Sequence, residues 1–307
     1  MAIHIQTPVI DSRALSLRSG KQVRLKLEAL QPSGSFKTRG IGHACEVYQS
    51  RGAKRFISSS GGNAGYAVAY AGRMLNTPVT VVVPATTSQR AQQLIRSEGA
   101  DVIVHGESWM EAHAQAQQLM TATDAFLHPF DDPLLWTGHA SMIDELAQQG
   151  ERPDLLICSV GGGGLLCGVV EGLQRNGWGS VPVLAAETAG AESFAKAVEN
   201  GGPTLLPGIH SIATSLGARQ VCDRAFALTQ EHHIESVVVS DAAAVAACEE
   251  ILLEHRMLVE PACGASVAAL HSASPLLQQA RSVVVILCGG VGITAGQLAQ
   301  WSADFGS

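Results

Sequence analysis

Short runs of β-branched and aliphatic residues alternate along this chain with alanine-rich stretches. The predicted strands include RLKLEAL (24–30), VTVVVP (79–84), DLLICSV (154–160) and SVVVILC (282–288). Between such runs lie stretches that predict helices, for example DAAAVAACEEILLEH (241–255). Because apolar strands that alternate with helices are typical of βαβ units, we expect an α/β fold with parallel twisted sheets and helices on both faces.

The length and composition restrict the class of protein. With 307 residues, of which 46% are hydrophobic, the chain is long enough to form two lobes around a cleft. No segment approaches the roughly 18 consecutive apolar residues of a membrane span, and the first residues do not form a secretion signal. The formal charge is −7 and the basic residues are scattered, which argues against nucleic acid as a partner.

The cysteines indicate the compartment. There are seven, an odd number, with no CxxC pair, and several lie in apolar runs such as LLICSV and VVILCGG. This usage favours buried, reduced thiols over disulfide bonds or zinc ligands. We therefore expect a cytoplasmic protein.

Two polar segments follow predicted strands, where ligands of open α/β sheets bind. The first, PSGSFKTRG (32–40), places Lys37 among small residues and one aromatic. A lysine that forms a Schiff base must lose its proton, which requires burial or nearby positive charge; a solvated lysine in a turn is the alternative. The second, SSSGGNAG (58–65), opens a helix with backbone N–H groups and the Asn63 amide, and predicts an anion site or an ordinary capped turn.

Two glycine-rich segments follow later strands. In SVGGGGLL (159–166), four consecutive glycines carry a large entropic cost, which predicts a backbone wrapped around a phosphate, with a tight structural turn as the alternative. The dinucleotide fingerprint fails there, since Leu166 and Cys167 stand where a third glycine is needed. In VILCGGVG (285–292), Gly290, Gly292 and Ala295 match that fingerprint, but no βαβ unit follows, so we interpret the match as chance.

Taken together and in this order, the four segments resemble the active-site motifs of the fold type II pyridoxal-phosphate (PLP) enzymes. The match is closest to the L-serine/L-threonine dehydratase branch. It rests on PSGSFK, SSGGNAG, SVGGGGLLCG and VILCGG, and it extends through HPFDDPLLWTGHAS (128–141), GWGSVPVLAAET (177–188) and VEPACGA (259–265). The resemblance therefore covers most of the chain.

The resemblance implies a two-lobed architecture like that of the tryptophan synthase β chain. We expect a large PLP-binding domain formed by residues 1–38 plus 137–307 and a small domain formed by residues 39–136. The active site would lie in the cleft between them. The family also implies a homodimer, although nothing in the sequence independently indicates an interface.

The resemblance further assigns roles to individual residues. Lys37 would bind PLP covalently, Phe36 would lie against its ring, Asn63 would bond its 3′-oxygen and Cys288 would face its ring nitrogen. The phosphate would be cradled by Gly161, Gly162, Gly163, Gly164 and Leu165. The substrate carboxylate would be bound by Ser60, Gly61, Gly62, Asn63 and Ala64. A monovalent cation, K⁺, would take oxygen ligands from Glu187, Ala191 and Ser193, although a solvated strand-end carboxylate is the alternative for Glu187.

The implied reaction is β-elimination from an amino acid. L-Serine would give pyruvate and ammonia, and L-threonine would give 2-oxobutanoate and ammonia, with Lys37 removing the α-proton. A thiol at Cys288 is a poor proton source for the ring nitrogen, which makes the cofactor a weaker electron sink and favours prompt loss of the β-hydroxyl over transamination. For Cys288, inert core packing is the alternative.

Other members of the same fold remain as alternatives. A racemase of this fold carries a serine at the position of Gly61, and glycine cannot exchange a proton, so we expect no racemisation. We also expect Gly61 to leave extra room in the loop. A β-replacing synthase typically has Thr-Ser-Gly-Asn-Thr, whereas this chain has Ser-Ser-Gly-Gly-Asn-Ala. A catalytically silent PLP-binding protein is the third alternative.

Overall fold

The computed structural model describes residues 2–306. Within these residues the strands are β1 (Val9–Asp11), β2 (Gln22–Lys26), β3 (Arg55–Ser58), β4 (Val79–Val83), β5 (Asp101–Val104), β6 (Asp124–Phe126), β7 (Leu155–Ser159), β8 (Val183–Thr188), β9 (Ile234–Val239) and β10 (Ser282–Ile286). The helices are α1 (Arg13–Ser19), α2 (Lys37–Ser50), α3 (Asn63–Met74), α4 (Gln89–Ser97), α5 (Trp109–Gln118), α6 (Pro133–Gln149), α7 (Gly164–Arg175), α8 (Ser193–Asn200), α9 (Asp223–Glu231), α10 (Asp241–His255), α11 (Pro261–Ala268), α12 (Pro275–Gln279) and α13 (Ala295–Phe305). Short 3₁₀ turns lie at Glu28–Leu30, Thr214–Leu216 and Ala269–His271.

The strands form two sheets. The larger has the order β1-β2-β10-β7-β8-β9 and is parallel except for the edge strand β1, which pairs antiparallel with β2. The smaller has the order β5-β4-β3-β6 and is parallel throughout. Every residue of β4, β7 and β8 is buried, because helices cover both faces of these apolar strands. The predicted α/β fold is confirmed.

Local signals place the predicted helix at 241–255, and the structure has α10 over that range. Its start is fixed by Ser240, whose side chain accepts a hydrogen bond from the Ala243 N–H. The predicted strand at 24–30 was too long, since β2 ends at Lys26 and a 3₁₀ turn follows. The chain leaves the sheet there because the buried Glu28 carboxylate accepts hydrogen bonds from Thr7 and Arg39.

Each sheet has its own core of buried apolar side chains. The larger core includes Val23, Ile157, Leu184 and Val285, while the smaller includes Phe56, Val81 and Leu135. The predicted domain boundaries, after residues 38 and 136, fall inside α2 and α6, and these two helices pack against each other. The division into residues 1–38 plus 137–307 and residues 39–136 stays a prediction.

The cysteines have the state that the sequence predicted. All seven cysteines are free and buried, as predicted. No helix within residues 2–306 is long and apolar enough to cross a membrane.

A buried ionic network joins the first helix turn of α2 to its neighbours. The fully buried guanidinium of Arg39 donates to both oxygens of Glu28, at 2.7 and 2.9 Å, and to both oxygens of Glu145 on α6, at 2.7 and 2.6 Å. Lys26 Nζ, at the end of β2, donates to the same Glu145 at 2.7 Å. Because Arg39 lies two residues after Lys37, the network fixes the position at which α2 begins.

We expect Arg39→Ala to lower the free energy of unfolding by about 3–5 kcal/mol, because the Glu28 carboxylate would remain buried without its cation. Urea unfolding at neutral pH measures this change. Arg224→Ala is the control: Arg224 pairs with Glu231 at the surface, where water screens the interaction, so its loss should have a much smaller effect. Equal losses in the two variants would contradict the assignment of the network as a structural anchor.

Candidate active site

The four segments singled out in the sequence follow β2, β3, β7 and β10 and lie at the carboxyl ends of these strands. Backbone hydrogen bonds join the first segment to the last. Ser35 pairs with Gly289 in an isolated antiparallel bridge, the Phe36 N–H donates to Cys288 O at 3.1 Å, and the Gly290 N–H donates to Gly34 O at 2.8 Å. Lys37 is thereby brought beside Cys288, 251 residues later in the chain.

Lys37 is the first residue of α2 and is half-buried. Its Nζ donates to Pro129 O at 2.5 Å, and no carboxylate within the described part of the chain forms an ion pair with it. Burial lowers the pKa of Lys37 to about 8, although the neighbouring Cys288 opposes the shift. A lysine in this state supplies the neutral amine that covalent chemistry requires, so the alternative of a solvated lysine does not fit.

The Phe36 ring lies against the Lys37 side chain. Lys37 Nζ is 5.0 Å from the centroid of the Phe36 ring. The same ring also contacts the buried His139 imidazole, with the two ring centroids 4.8 Å apart. Burial, together with the charges of Lys37 and Arg39, lowers the pKa of His139 well below its usual value. The imidazole is therefore neutral and does not repel a cation at Lys37.

The glycine run joins β7 to α7. Gly163 has a φ of +95°, and a Cβ on Gly162 would lie 2.2 Å from Cγ of Phe130, so packing alone requires glycine at these positions. Packing does not explain the donors: within residues 2–306, none of the N–H groups of Gly161 to Gly164 donates to a protein acceptor. Leu165 continues the run into the first turn of α7. Such unpaired donors at a helix start suit a phosphate.

Cys288 lies two residues after the last residue of β10 and is buried. Its Sγ lies 3.5 Å from Oγ of Ser159, the last residue of β7, which stands two residues before the glycine run. A hydrogen bond from the Cys263 thiol lowers the pKa of Cys288, while burial acts in the opposite direction. A cysteine side chain is neutral as a thiol and negative as a thiolate. In neither form is it a cationic acid such as a protonated amine.

The SSGGNA loop connects β3 to α3, of which Asn63 is the first residue. Among the residues described, the N–H groups of Gly61, Asn63 and Ala64 donate to no protein acceptor, and Gly62 N donates to Ser60 Oγ only at 3.4 Å. A cluster of free donors at a helix N-terminus suits a carboxylate.

The expectation that Gly61 leaves extra room was wrong. A Cβ on Gly61 would lie 2.6 Å from Cγ2 and 2.7 Å from Oγ1 of Thr87, in the loop that follows β4. Thr87 therefore occupies the space that a side chain at position 61 would need. No local pattern indicates this contact, because the two residues lie on different βα loops of the smaller sheet.

The predicted cation ligands follow β8. Glu187 is fully buried, so the alternative of a solvated carboxylate was wrong. Its oxygens accept the N–H groups of Phe194 and Ala195 at 2.8 and 2.7 Å, yet burial raises the pKa of Glu187 to about 8. Ser193 Oγ is buried and has no hydrogen-bond partner within residues 2–306. Ala191 is buried in the same turn, and the residues described contain no cluster of three His, Cys, Asp or Glu that would bind a metal.

The structure adds site residues that the sequence analysis did not assign. Pro129 accepts the Lys37 hydrogen bond, and Phe130 packs against the glycine run. Thr87 fills the space beside Gly61, and buried Glu260 binds the Asn63 amide. Phe130 and Glu260 lie in segments that carried the family resemblance, HPFDD and VEPACGA, but no local pattern indicates what their side chains contact.

Known proteins match this chain along almost its whole length. The chain is 47% identical to the L-serine dehydratase/L-threonine deaminase of Homo sapiens, over 99% of this chain and 96% of that protein. It is 42% identical to the L-serine dehydratase of Dictyostelium discoideum, over 96% of this chain and 91% of that protein.

A solved structure and a family model match as well. The crystal structure of a fungal L-serine ammonia-lyase from Rhizomucor miehei superimposes with a TM-score of 0.93 at 35% identity, over 99% of this chain and 100% of the other. The family model described as "Pyridoxal-phosphate dependent enzyme" matches residues 2–289. The order of the motifs, the fold and these matches agree, and the chain belongs to the family of pyridoxal-phosphate-dependent enzymes, fold type II.

Proposed function

We propose that this chain is an ammonia-lyase that converts L-serine to pyruvate and ammonia, and L-threonine to 2-oxobutanoate and ammonia. The observation that carries the proposal is that Lys37, half-buried and without an ion pair within residues 2–306, lies with Cys288 and the free N–H groups of the glycine run at the carboxyl ends of strands of the larger sheet. The names of the human and Dictyostelium relatives supply the substrate class.

Each chemical group of PLP can be assigned to a residue of this site. We assign the aldehyde to Lys37, the phosphate to Gly161, Gly162, Gly163, Gly164 and Leu165, the ring nitrogen to Cys288, the ring face to Phe36 and the 3′-oxygen to Asn63. Support comes from N–H groups that lack protein acceptors and from a lysine whose pKa burial lowers to about 8. When bound, PLP supplies an electron sink that stabilises negative charge at the substrate α-carbon.

The loop at the start of α3 would bind the substrate carboxylate. We assign this role to Ser60, Gly61, Gly62, Asn63 and Ala64, because free N–H groups at a helix N-terminus attract an anion. Fixing the carboxylate there orients the α-carbon relative to Lys37, which is the geometric part of the catalysis.

Lys37 Nζ would accept the α-proton once the substrate amine has replaced it. The amine can do so because burial lowers its pKa to about 8, so that a sizeable minority of it is neutral close to physiological pH. Loss of the β-hydroxyl as water completes the elimination, and hydrolysis of the product releases ammonia. Racemisation would need a second proton-transfer group on the opposite face of the substrate, and Gly61 provides none.

Four further assignments belong to this proposal. Glu187, Ala191 and Ser193 would bind K⁺, supported by the unpartnered Ser193 hydroxyl and by the tendency of buried Glu187 to stay protonated without a neighbouring cation. The active site would lie between domains formed by residues 1–38 plus 137–307 and residues 39–136. The seven buried free thiols support a cytoplasmic location. A homodimer follows from the family resemblance, and sedimentation analysis tests it.

The first experiment records the visible spectrum of the purified protein before and after addition of L-serine, with pyruvate assayed in the same sample. We expect the absorbance of lysine-bound PLP, its change on addition of L-serine, and formation of pyruvate. Lys37→Ala should remove both absorbance and turnover, because the covalent link and the base are the same amine. The exposed Lys54→Ala is the matched control and should keep both.

The outcomes separate the alternatives. PLP absorbance without pyruvate would contradict the dehydratase and leave a synthase, a racemase or a silent binding protein. Absence of the absorbance even after PLP is supplied would contradict the assignment of Lys37.

A second prediction concerns pH. Covalent uptake of PLP needs a neutral amine, and the pKa of Lys37 is lowered from 10.5 to about 8, so the neutral fraction grows as pH rises and saturates above this value. We therefore expect the rate of PLP uptake by the apoprotein to rise with pH and to level off above about pH 8. Stopped-flow absorbance across the pH range measures it. A rate that climbs steadily beyond pH 10 would indicate an ordinary, solvated lysine.

A third prediction concerns Gly61 and Thr87. Since a Cβ at position 61 would overlap both branches of the Thr87 side chain, the effect of Gly61→Ala should depend on residue 87. We expect kcat/KM for L-serine in the Gly61→Ala/Thr87→Ala double variant to differ by about threefold or more from the product of the two single effects. Multiplicative effects would show that the two side chains do not compete for one space.

A further inference from the structure

Glu260 is a buried carboxylate just before α11 that accepts hydrogen bonds from three separate parts of the chain. Its Oε2 accepts from Ser215 Oγ at 2.6 Å and from Asn63 Nδ2 at 2.9 Å, and its Oε1 accepts from the Gly292 N–H at 2.5 Å. No lysine or arginine within residues 2–306 forms an ion pair with it. A buried carboxylate held only by neutral donors is costly, so it calls for a reason beyond stability.

The contacts of Glu260 fix the orientation of the Asn63 amide. Asn63 Oδ1 accepts the Val291 N–H at 3.0 Å, while Asn63 Nδ2 donates to Glu260. Turning the amide over would place its oxygen against a carboxylate and its NH₂ against an N–H, and both contacts would be repulsive. Asn63 is therefore held with Nδ2 at a set position, and the second hydrogen of Nδ2 meets only Ser215 Oγ, at 3.3 Å.

The glycines after Cys288 make room for this carboxylate. A Cβ on Gly290 would lie 2.2 Å from Cδ of Glu260, and a Cβ on Gly292 would lie 2.6 Å from Oε1. Gly290 also has a φ of +126°, which disfavours any other residue. The spacing that matched a dinucleotide fingerprint in the sequence thus accommodates Glu260.

We propose that Glu260 is a positioning residue that holds the Asn63 amide so that its second N–H is directed to the 3′-oxygen of PLP. This inference rests on the proposed function, in which Asn63 binds that oxygen. A hydrogen bond donated to a phenolic oxygen favours its ionised form. The Val291 N–H, accepted by Asn63 Oδ1, polarises the amide, and the Glu260 carboxylate keeps the donor in place. Glu260 thereby acts on the cofactor through Asn63 without touching it.

The test measures two properties of bound PLP that do not depend on turnover: its dissociation constant and the pH midpoint of its visible absorbance. The variants are Asn63→Ala, Glu260→Gln and the double variant. A glutamine cannot accept from both Asn63 and Gly292, because one of its two terminal atoms is itself a donor. We expect Glu260→Gln to weaken PLP binding by about tenfold and to raise the pH midpoint, in the same direction as Asn63→Ala, with no further change in the double variant.

Controls separate positioning from a structural role. Ser215→Ala removes a donor to the same Glu260 oxygen and the long contact of the second Nδ2 hydrogen, but it keeps the Asn63–Glu260 hydrogen bond. It should therefore shift the pH midpoint far less than Glu260→Gln. If Glu260→Gln does not fold, as judged by thermal unfolding of the apoprotein, Glu260→Asp is used, which keeps the charge but shortens the reach to Asn63 and should also raise the midpoint.

The results distinguish this inference from the proposed function. If the unmodified protein takes up no PLP, both are overturned. If it takes up PLP but the Glu260 variant keeps the parent's dissociation constant and midpoint, or if the effects of Glu260→Gln and Asn63→Ala simply add, only the positioning role is overturned.

Discussion

The backbone pairing between residues 34–36 and residues 288–290 is the contact on which the rest of the site depends. It continues β10 beyond its last strand residue and ties the lysine segment to the end of the central strand. Through it Lys37 reaches Cys288, and through Cys288 and Ser159 the lysine is placed near the glycine run. A substitution that blocked this pairing would separate the Lys37 amine from the unpaired N–H groups of the glycine run without changing either.

Two neighbouring basic residues, Lys37 and Arg39, have opposite electrostatic surroundings. Arg39 is buried among carboxylates and is held charged, whereas Lys37, two residues earlier, meets a carbonyl oxygen and no carboxylate within the described residues. Desolvation without a counter-charge favours the neutral amine, and desolvation with two carboxylates favours the charged guanidinium. One helix turn therefore supplies both a structural ion network and a reactive amine.

Glycines of the four motifs pack closely against different side chains. Gly162 yields space to the Phe130 ring, Gly61 to Thr87, and Gly290 to the Glu260 carboxylate. In each case a partner from a distant part of the chain occupies the place of the missing side chain. Glycine is therefore required at these positions by the close approach of a partner. The glycines at 290 and 292 match the spacing of a nucleotide-binding fingerprint because Glu260 packs against them.

Much of the fold and the outline of the site could be predicted from the sequence. Apolar runs that alternate with alanine-rich stretches are local signals, and they predicted the α/β fold. The order of four motifs carried the family resemblance that assigns the cofactor to Lys37, and this assignment stays a prediction. The contacts of Thr87, Phe130 and Glu260 could not be predicted, because each depends on which strand ends become neighbours in the sheets. The sequence by itself determined which chemical groups this protein has; only the tertiary structure decided which of them meet and which ionise, since desolvation and pairing arise from residues far apart in the chain.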